Sequence, residues 1–233
     1  MEIPFVNKTY EQFIENIQYD VKSGIKKQIV TANPEIVMAT REDVAYKQIV
    51  QHADYVVPDG IGVVLAAKLK RQALQERIAG FDVMTGMLEM ANEAGLSCFF
   101  LGAKEEINDR AVDEITSRYP NLHVAGQHHG YIAVDDQKVK NLVVESDADF
   151  IFVALGFPKQ EKFIANTMPD CDKGIFIGVG GSFDVFAGNV KRAPAFWIKW
   201  NLEWLYRLLK QPFRWKRMLP IVKFLGLVVR GKS

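Results

Sequence analysis

An α/β layer fold with a largely parallel sheet is what this sequence predicts, and three observations carry the prediction. Short β-branched runs alternate along the chain with longer segments of helical period. Several of the short runs are apolar without alternation, the pattern of strands buried on both faces of a sheet. Composition then changes abruptly: residues 1–190 carry 18 Lys plus Arg against 27 Asp plus Glu, whereas residues 191–233 carry 11 against Glu203 alone. The 233-residue chain, formally +1 overall, therefore divides into an acidic body (1–190) and a strongly basic appendage (191–233).

The strand runs are Lys27 to Thr31, Tyr55 to Val57, Ser97 to Leu101, Leu122 to Ala125, Phe150 to Leu155 and Gly174 to Ile177. Between them Arg41–Ala53, Gly60–Lys70, Phe81–Ala94, Glu105–Tyr119, Asp135–Ser146 and Pro158–Met168 have helical period. From Pro194 onward one amphipathic helix is expected, with Trp197, Trp200, Trp204 and Leu208 on one face and Lys199 and Lys210 on the other. At 48% hydrophobic residues the chain is no disordered segment, and two cysteines, Cys98 and Cys171, exclude a disulfide scaffold. No repeat and no low-complexity linker interrupts it.

All four tryptophans fall in the basic segment, and Arg207, Arg214, Lys216 and Arg217 lead into an apolar stretch, Met218 to Val229, whose only charge is Lys223. Trp beside Lys and Arg is an interfacial signature, so an anionic membrane surface is the simplest partner, with nucleic acid as the competitor. Docking of the tryptophans on the body is the structural alternative. The N-terminus lacks the basic and apolar regions of a secretion signal, and charges interrupt every run that approaches membrane-spanning length. A cytoplasmic protein, peripheral on the inner face of the cell membrane, is expected.

Parallel sheets bind ligands beyond the carboxyl ends of their strands. Five loops would converge there: Thr31 to Glu35, Pro58 to Gly60, Gly102 to Lys104, Gly156 to Glu161 and Gly178 to Ser182. Gly102, Gly156, Gly180 and Gly181 can bring backbone N–H groups close to a phosphate, and Lys104 and Lys159 can add charge, which makes a diphosphate site plausible. Each glycine also has an ordinary reading as a turn former. Thr31 and Asn33, two apart in extended chain, project to one side; Asn33 before Pro34 also suits a turn. Asp59 has two readings, a carboxylate with chemistry to perform or an N-cap. Gly178-Val179-Gly180-Gly181 lacks the third glycine of a dinucleotide fingerprint, and no Walker A string occurs.

Two strings are decoys. Asp147-Ala148-Asp149 matches the Asp-x-Asp that holds a metal on nucleotide sugars, yet it precedes its strand, roughly 20 Å from the rim at about 3.3 Å per residue. His128-His129 are adjacent in extended chain and point to opposite faces, with no partner at zinc spacing. No metal site and no cofactor are expected.

Taken in order, Val30 to Val37, Asp59 to Val63, Glu76 to Gly80, His129-Gly130-Tyr131, Gly156 to Glu161, Gly178 to Gly181, Asp184 with Ala187-Gly188, Lys191 to Pro194 and Asn201 to Arg207 resemble the WecG/TagA/CpsF glycosyltransferases across essentially the whole chain. The resemblance implies a Rossmann-like α/β domain with helices on both faces and a C-terminal helical appendage that reaches the membrane. It implies transfer of an N-acetylmannosamine-type sugar from a UDP donor to a lipid-linked acceptor, in the teichoic-acid members N-acetylglucosaminyl-diphospho-undecaprenol, with a β-1,4 linkage. Asp59 would be the base, Thr31, Asn33, Arg77 and Gln160 would lie at the sugar site, and Asp184 belongs to a further matching string. Arg207, Arg214 and Arg217 would match appendage arginines that close over the pocket. The UDP-sugar is then a substrate, the partners are donor, polyprenyl-diphosphate acceptor and membrane rather than nucleic acid, and a homo-oligomer stays open.

The residues agree with that chemistry. UDP is already a good leaving group, so one carboxylate suffices to take the acceptor's proton, and only one stands at the expected rim, whereas a glycosidase needs two. N-acetylmannosaminuronic acid or a hexose would be equally compatible as the transferred sugar. A nicotinamide-dependent oxidoreductase would share the sheet but not the missing glycine turn, and a non-enzymatic membrane scaffold would leave the polar rim without a use.

Overall fold

The computed structural model describes residues 3–200, 202–210, 223, 224 and 226. Its strands are β1 (Lys27–Ala32), β2 (Tyr55–Pro58), β3 (Ser97–Gly102), β4 (His123–His128), β5 (Phe150–Ala154) and β6 (Ile175–Gly178). They form one open, wholly parallel sheet in the order β2-β1-β6-β5-β3-β4. All six expected strands are present, β4 running on to His128 rather than ending at Ala125.

Period-two alternation with both faces covered explains why the inner strands are largely apolar. Ile29, Phe100, Phe150, Phe152 and Ile177 face one core, with α1 (Tyr10–Lys22), α5 (Gly80–Ala94), α6 (Glu105–Arg118) and α9 (Ser182–Phe186) packed over them. Their neighbours face the opposite side. Val30 and Val56 meet α2 (Pro34–Glu42), α3 (Val44–His52) and α4 (Ile61–Leu69), while Phe99, Leu101, Ile151, Val153 and Phe176 meet α7 (Gln137–Glu145) and α8 (Lys159–Thr167). Each fully buried Phe on these strands contributes about 1.5–3 kcal/mol relative to exposure. A Rossmann-like α/β architecture with both faces covered is the result.

Several helices differ from the sequence reading, the short α9 among those not expected. The N-terminal α1 was not expected, although Thr9 and Gln12 form a capping box: Thr9 Oγ1 accepts from Gln12 N–H and Gln12 Oε1 accepts from Thr9 N–H. The single helix expected over 41–53 is two helices, because Asp43 is extended (φ −123°) and its carboxylate accepts from Tyr46 N–H to begin α3. The segment Pro34–Glu42, expected as the end of a loop, is helix α2, started by Asn33 as its N-cap with Pro34 next.

The appendage is also interrupted. In place of one helix from Pro194 there are α10 (Ala195–Lys199) and α11 (Glu203–Lys210), with Leu202 N–H donating to Trp197 C=O across the break. Trp197 packs on Tyr206, whereas Phe196, Trp200, Trp204 and Leu209 are exposed. Part of the later apolar stretch turns to the body: Phe224 is buried against the cluster holding Val30, Ile36 and Tyr46, and Lys223 pairs with Glu42 at 3.0 Å. Arg214 and Arg217 lie outside the described residues, as does the side chain of Arg207. No helix among the described residues is long and apolar enough to cross a membrane.

Candidate active site

Parallel strands place the loops after β1, β2, β3, β5 and β6 on one edge of the sheet. Close packing of strand tips makes glycine necessary there. A Cβ on Gly102, at φ +132°, would lie 2.5 Å from the Ala154 backbone, so the ends of β3 and β5 could not meet. Gly156 and Gly180 also have positive φ, but nothing lies within 4 Å of where their Cβ atoms would be. Those two loops therefore present open backbone at the rim, with exposed Lys159 beside the first and exposed Gly181 after the second.

Asp59 follows β2 and does not cap α4, whose N-cap is Gly60 with no side-chain bond. Its carboxylate turns instead to the segment 77–80, where Gly80 N–H, at the start of α5, is 3.4 Å from Oδ2 and Arg77 Nε is 3.7 Å from Oδ1. The backbone fixes this approach: Ile78 N–H donates to Pro58 C=O and Asp59 N–H to Ala32 C=O. With its side chain 31% exposed, Asp59 is open to a ligand, and the N-terminus of α5 favours its negative charge. Asp59 thus does not cap the helix that follows it, but its carboxylate meets the first N–H of α5.

The other expected residues divide between rim and scaffold. Thr31 is buried at the end of β1 under Gly80, its Oγ1 3.4 Å from Gly178 C=O. Asn33 stands at the rim, but its Oδ1 accepts from Ile36 N–H as the α2 cap. Gln160 is buried: its Oε1 accepts from Gly180 N–H at 3.1 Å and its Nε2 donates to Glu161 Oε1 at 2.8 Å. It therefore holds the glycine loop after β6 in place. Asp184 lies in the first turn of α9, with Oδ2 4.0 Å from the Cβ position of Gly181.

Sequence reasoning passed over three features. Glu161, 1% exposed, has its carboxyl pushed above the usual carboxylate range by burial, and buried Tyr46 is pushed upward by burial and by the nearby Glu161. Glu203 pairs with Arg77, Oε2 to Nη2 3.2 Å; that it is the only acid in a basic segment was the available signal. Beside Arg77 lies a cavity of about 230 Å³ lined by Tyr10, Ala79, Asp82, Thr85 and Glu89. There burial and the charges of Asp82, Glu89 and Glu11 push the Tyr10 phenol up to about 12.

The decoys are structural in this fold. Asp149 accepts from Ser97 N–H and Oγ and from Lys173; burial alone would raise its pKa, but these bonds outweigh it and hold the carboxyl below its ordinary value. His128 Nδ1 lies 2.8 Å from the His129 carbonyl oxygen. Among the described residues no three His, Cys, Asp or Glu side chains group as metal ligands.

The whole chain, residues 1–233, matches the model of the glycosyl transferase WecG/TagA/CpsF family. The chain belongs to that family. It is 43% identical over 232 residues to the N-acetylglucosaminyldiphosphoundecaprenol N-acetyl-beta-D-mannosaminyltransferase of Bacillus subtilis (strain 168), covering 99% of this chain and 90% of the relative. The enzymes of the same name from Bacillus spizizenii (strain ATCC 23059 / NRRL B-14472 / W23) and Staphylococcus aureus (strain MRSA252) are 39% and 40% identical, covering 98% and 99% of this chain and 89% and 91% of the relatives. A WecG/TagA/CpsF glycosyl transferase is a group-transfer enzyme, so neither an oxidoreductase nor a non-enzymatic scaffold describes this chain.

The arrangement can accept a proton at Asp59, place one guanidinium beside it, and offer the Gly156 and Gly180 loops to an anion. The Gly180 loop depends on Gln160. Replacement Gln160→Ala leaves Gly180 N–H and the Glu161 carboxyl without their partner. The expected results are a loss of about 1–3 kcal/mol in thermal or urea unfolding and faster amide hydrogen exchange in the 178–182 loop; unchanged exchange there would show that the loop holds its shape without Gln160.

Proposed function

We propose that this glycosyl transferase moves N-acetylmannosamine from its UDP conjugate to N-acetylglucosaminyl-diphospho-undecaprenol, forming a β-1,4 linkage for teichoic acid or a related surface polysaccharide. The reaction inverts the anomeric centre and runs without a metal. One observation carries the mechanism: the partly exposed carboxylate of Asp59 lies between the Arg77 guanidinium and the N-terminus of α5 at the open rim, and does not cap the helix that follows it. The names of relatives about 40% identical across nearly the full chain support the choice of substrates.

In a single displacement the acceptor hydroxyl gives its proton to Asp59 as its oxygen bonds to the anomeric carbon. The bond from that carbon to the diphosphate oxygen breaks on the opposite face, and its electron pair leaves with UDP. An ordinary carboxylate, with a pKa of about 3.9, is a weak base in water, so partial desolvation by the acceptor would assist it. Growing charge on the diphosphate is met by N–H groups of the Gly156 and Gly180 loops and by cationic side chains, Lys159, Arg77 and appendage arginines Arg207, Arg214 and Arg217 among them. Thr31 and Gln160 serve by fixing the strand tip and glycine loop on which the donor rests, and Asn33 and Asp184 border it.

The appendage holds the enzyme at the anionic inner membrane face, within reach of the lipid-linked acceptor. Exposed Phe196, Trp200, Trp204 and Leu209 support that reading, since Trp at a basic surface suits the headgroup region. N-acetylmannosaminuronic acid and hexose donors remain the competitors, to be separated by mass-spectrometric transfer from a panel of UDP-sugars.

Asp59→Asn is expected to lower transfer to a short-chain acceptor analogue by about 10²-fold or more while UDP affinity changes little; near-normal turnover would remove Asp59 as the base. Transfer by wild-type protein stripped with excess EDTA should stay within about twofold of the untreated rate, and a large increase on adding magnesium or manganese would contradict the metal-free step. Deletion from Lys191 onward should release the protein from anionic vesicles in flotation, and equal flotation of the truncated chain would place the attachment elsewhere.

A further inference from the structure

Residues 191–233 hold eleven basic side chains and a single acid, Glu203. That carboxylate opens α11 and is buried against the body, its Oε2 3.2 Å from Nη2 of Arg77. The two side chains are 11% and 12% exposed, so the pair is largely removed from water, where a charge needs its partner. The Nε of the same guanidinium lies 3.7 Å from Oδ1 of Asp59. Arg77 thus stands between a carboxylate of the body and a carboxylate of the appendage.

Backbone bonds do not explain this placement. Ile78 N–H to Pro58 C=O and Gly80 N–H to Asp59 fix the chain on the C-terminal side of Arg77. The guanidinium lies beyond four rotatable bonds, and fixing a side chain of that length costs rotamer entropy. Glu203 supplies the contact that offsets this cost. We propose that Glu203 is a positioning residue for transfer: from the first turn of α11 its carboxylate holds the Arg77 guanidinium beside Asp59.

The charges give this contact a chemical consequence. An arginine paired with Asp59 alone would hold the carboxylate ionised and weaken it as a base. Glu203 shares that cation and adds a negative charge nearby, which preserves the basicity of Asp59. Among the described residues the ionisable groups near Arg77 include its neighbour Glu76, whose carboxylate accepts from Tyr10 N–H, and Tyr10 of α1 and Asp82 and Glu89 of α5, which line the adjoining cavity, with Arg192 paired to Asp82. The inference rests on Asp59 acting as proposed above.

The test uses the full-length chain with UDP-N-acetylmannosamine and a short-chain acceptor analogue, following kcat, donor KM and the pH profile of kcat/KM. Glu203→Gln is expected to lower kcat about tenfold and to move the acid limb of the profile to lower pH, because loss of a negative charge favours ionised Asp59. Glu203→Asp keeps the charge with a shorter reach. It should recover part of kcat with the acid limb near its original position, and it carries the test should Glu203→Gln fold poorly. Wild-type kcat and profile in Glu203→Gln overturn the inference. So does a Glu203→Asp variant as impaired as Glu203→Gln when neither moves the acid limb, since that pattern belongs to simple docking. An inactive Asp59→Asn alongside an unaffected Glu203→Gln sinks this inference alone, whereas an active Asp59→Asn sinks the base assignment on which it rests.

Discussion

A sheet whose strands all run one way must deliver every strand's carboxyl end to the same edge, and the site of this enzyme depends on that constraint. Residues as distant in sequence as Thr31, Asp59, Gly102, Gly156 and Gly180 are brought there by the sheet itself, and side-chain bonds such as Thr31 to Gly178 and Gln160 to Gly180 then fix the loops locally. The edge is also crowded. Gly102 lies against the Ala154 backbone, Gly178 under the Gln160 amide and Gly80 against Thr31, each closer than an added Cβ would ordinarily allow. Such approach explains why small residues gather at the strand tips, and it leaves only the Gly156 and Gly180 turns with free space above them. Crowding below and space above is what an anion-binding surface made of main chain requires.

Electrostatics impose a second condition. The body carries a formal −9 over residues 1–190, from 18 basic and 27 acidic side chains, and the appendage +10 from 11 and one. A diphosphate approaching the body alone would meet an unfavourable net field, with Arg77 already shared between Asp59 and Glu203. Seating a basic appendage against that body reverses the local balance. The same attraction helps dock it, at a salt-sensitive strength typical of partly exposed charges.

Much of this was legible in the sequence, for identifiable reasons. Most strands are buried on both faces and read as short apolar runs, which made them and the rim loops easy to find, whereas the edge strand β4 (His123–His128), half-polar and partly exposed, was placed only in part. Asp59 could be singled out because its place between Pro58 and Gly60 gives it no ordinary surface role. What escaped depended on bonds between distant residues or on a choice between equal local options. Asp43 ends one helix and begins the next through a single carboxylate bond to Tyr46 N–H, which helical periodicity over 41–53 conceals. Gln160 reads as a ligand contact, yet its amide is occupied by Gly180 and Glu161, a role visible only once β6 lies beside β5. Glu203 looked like an isolated acid because its partner lies 126 residues away. The Thr9–Gln12 capping box, by contrast, was present in the sequence and simply not used.

The appendage divides its apolar side chains between the body and solvent. A continuous helix from Pro194 would have put Trp197, Trp200, Trp204 and Leu208 on one stripe, and that stripe could face either the body or a membrane, not both. The break between α10 and α11 removes the conflict. Trp197 turns inward to Tyr206, Glu203 reaches Arg77, and Phe224 is buried beside Ile36 and Tyr46, while Phe196, Trp200, Trp204 and Leu209 stay in solvent. Inward contacts of this kind make the exposed aromatics a surface of fixed position relative to Asp59. On the proposed reading, a membrane bound through them would present a lipid-linked sugar at a set distance from Asp59, and the same interruption that spoils a simple amphipathic pattern would join attachment to chemistry.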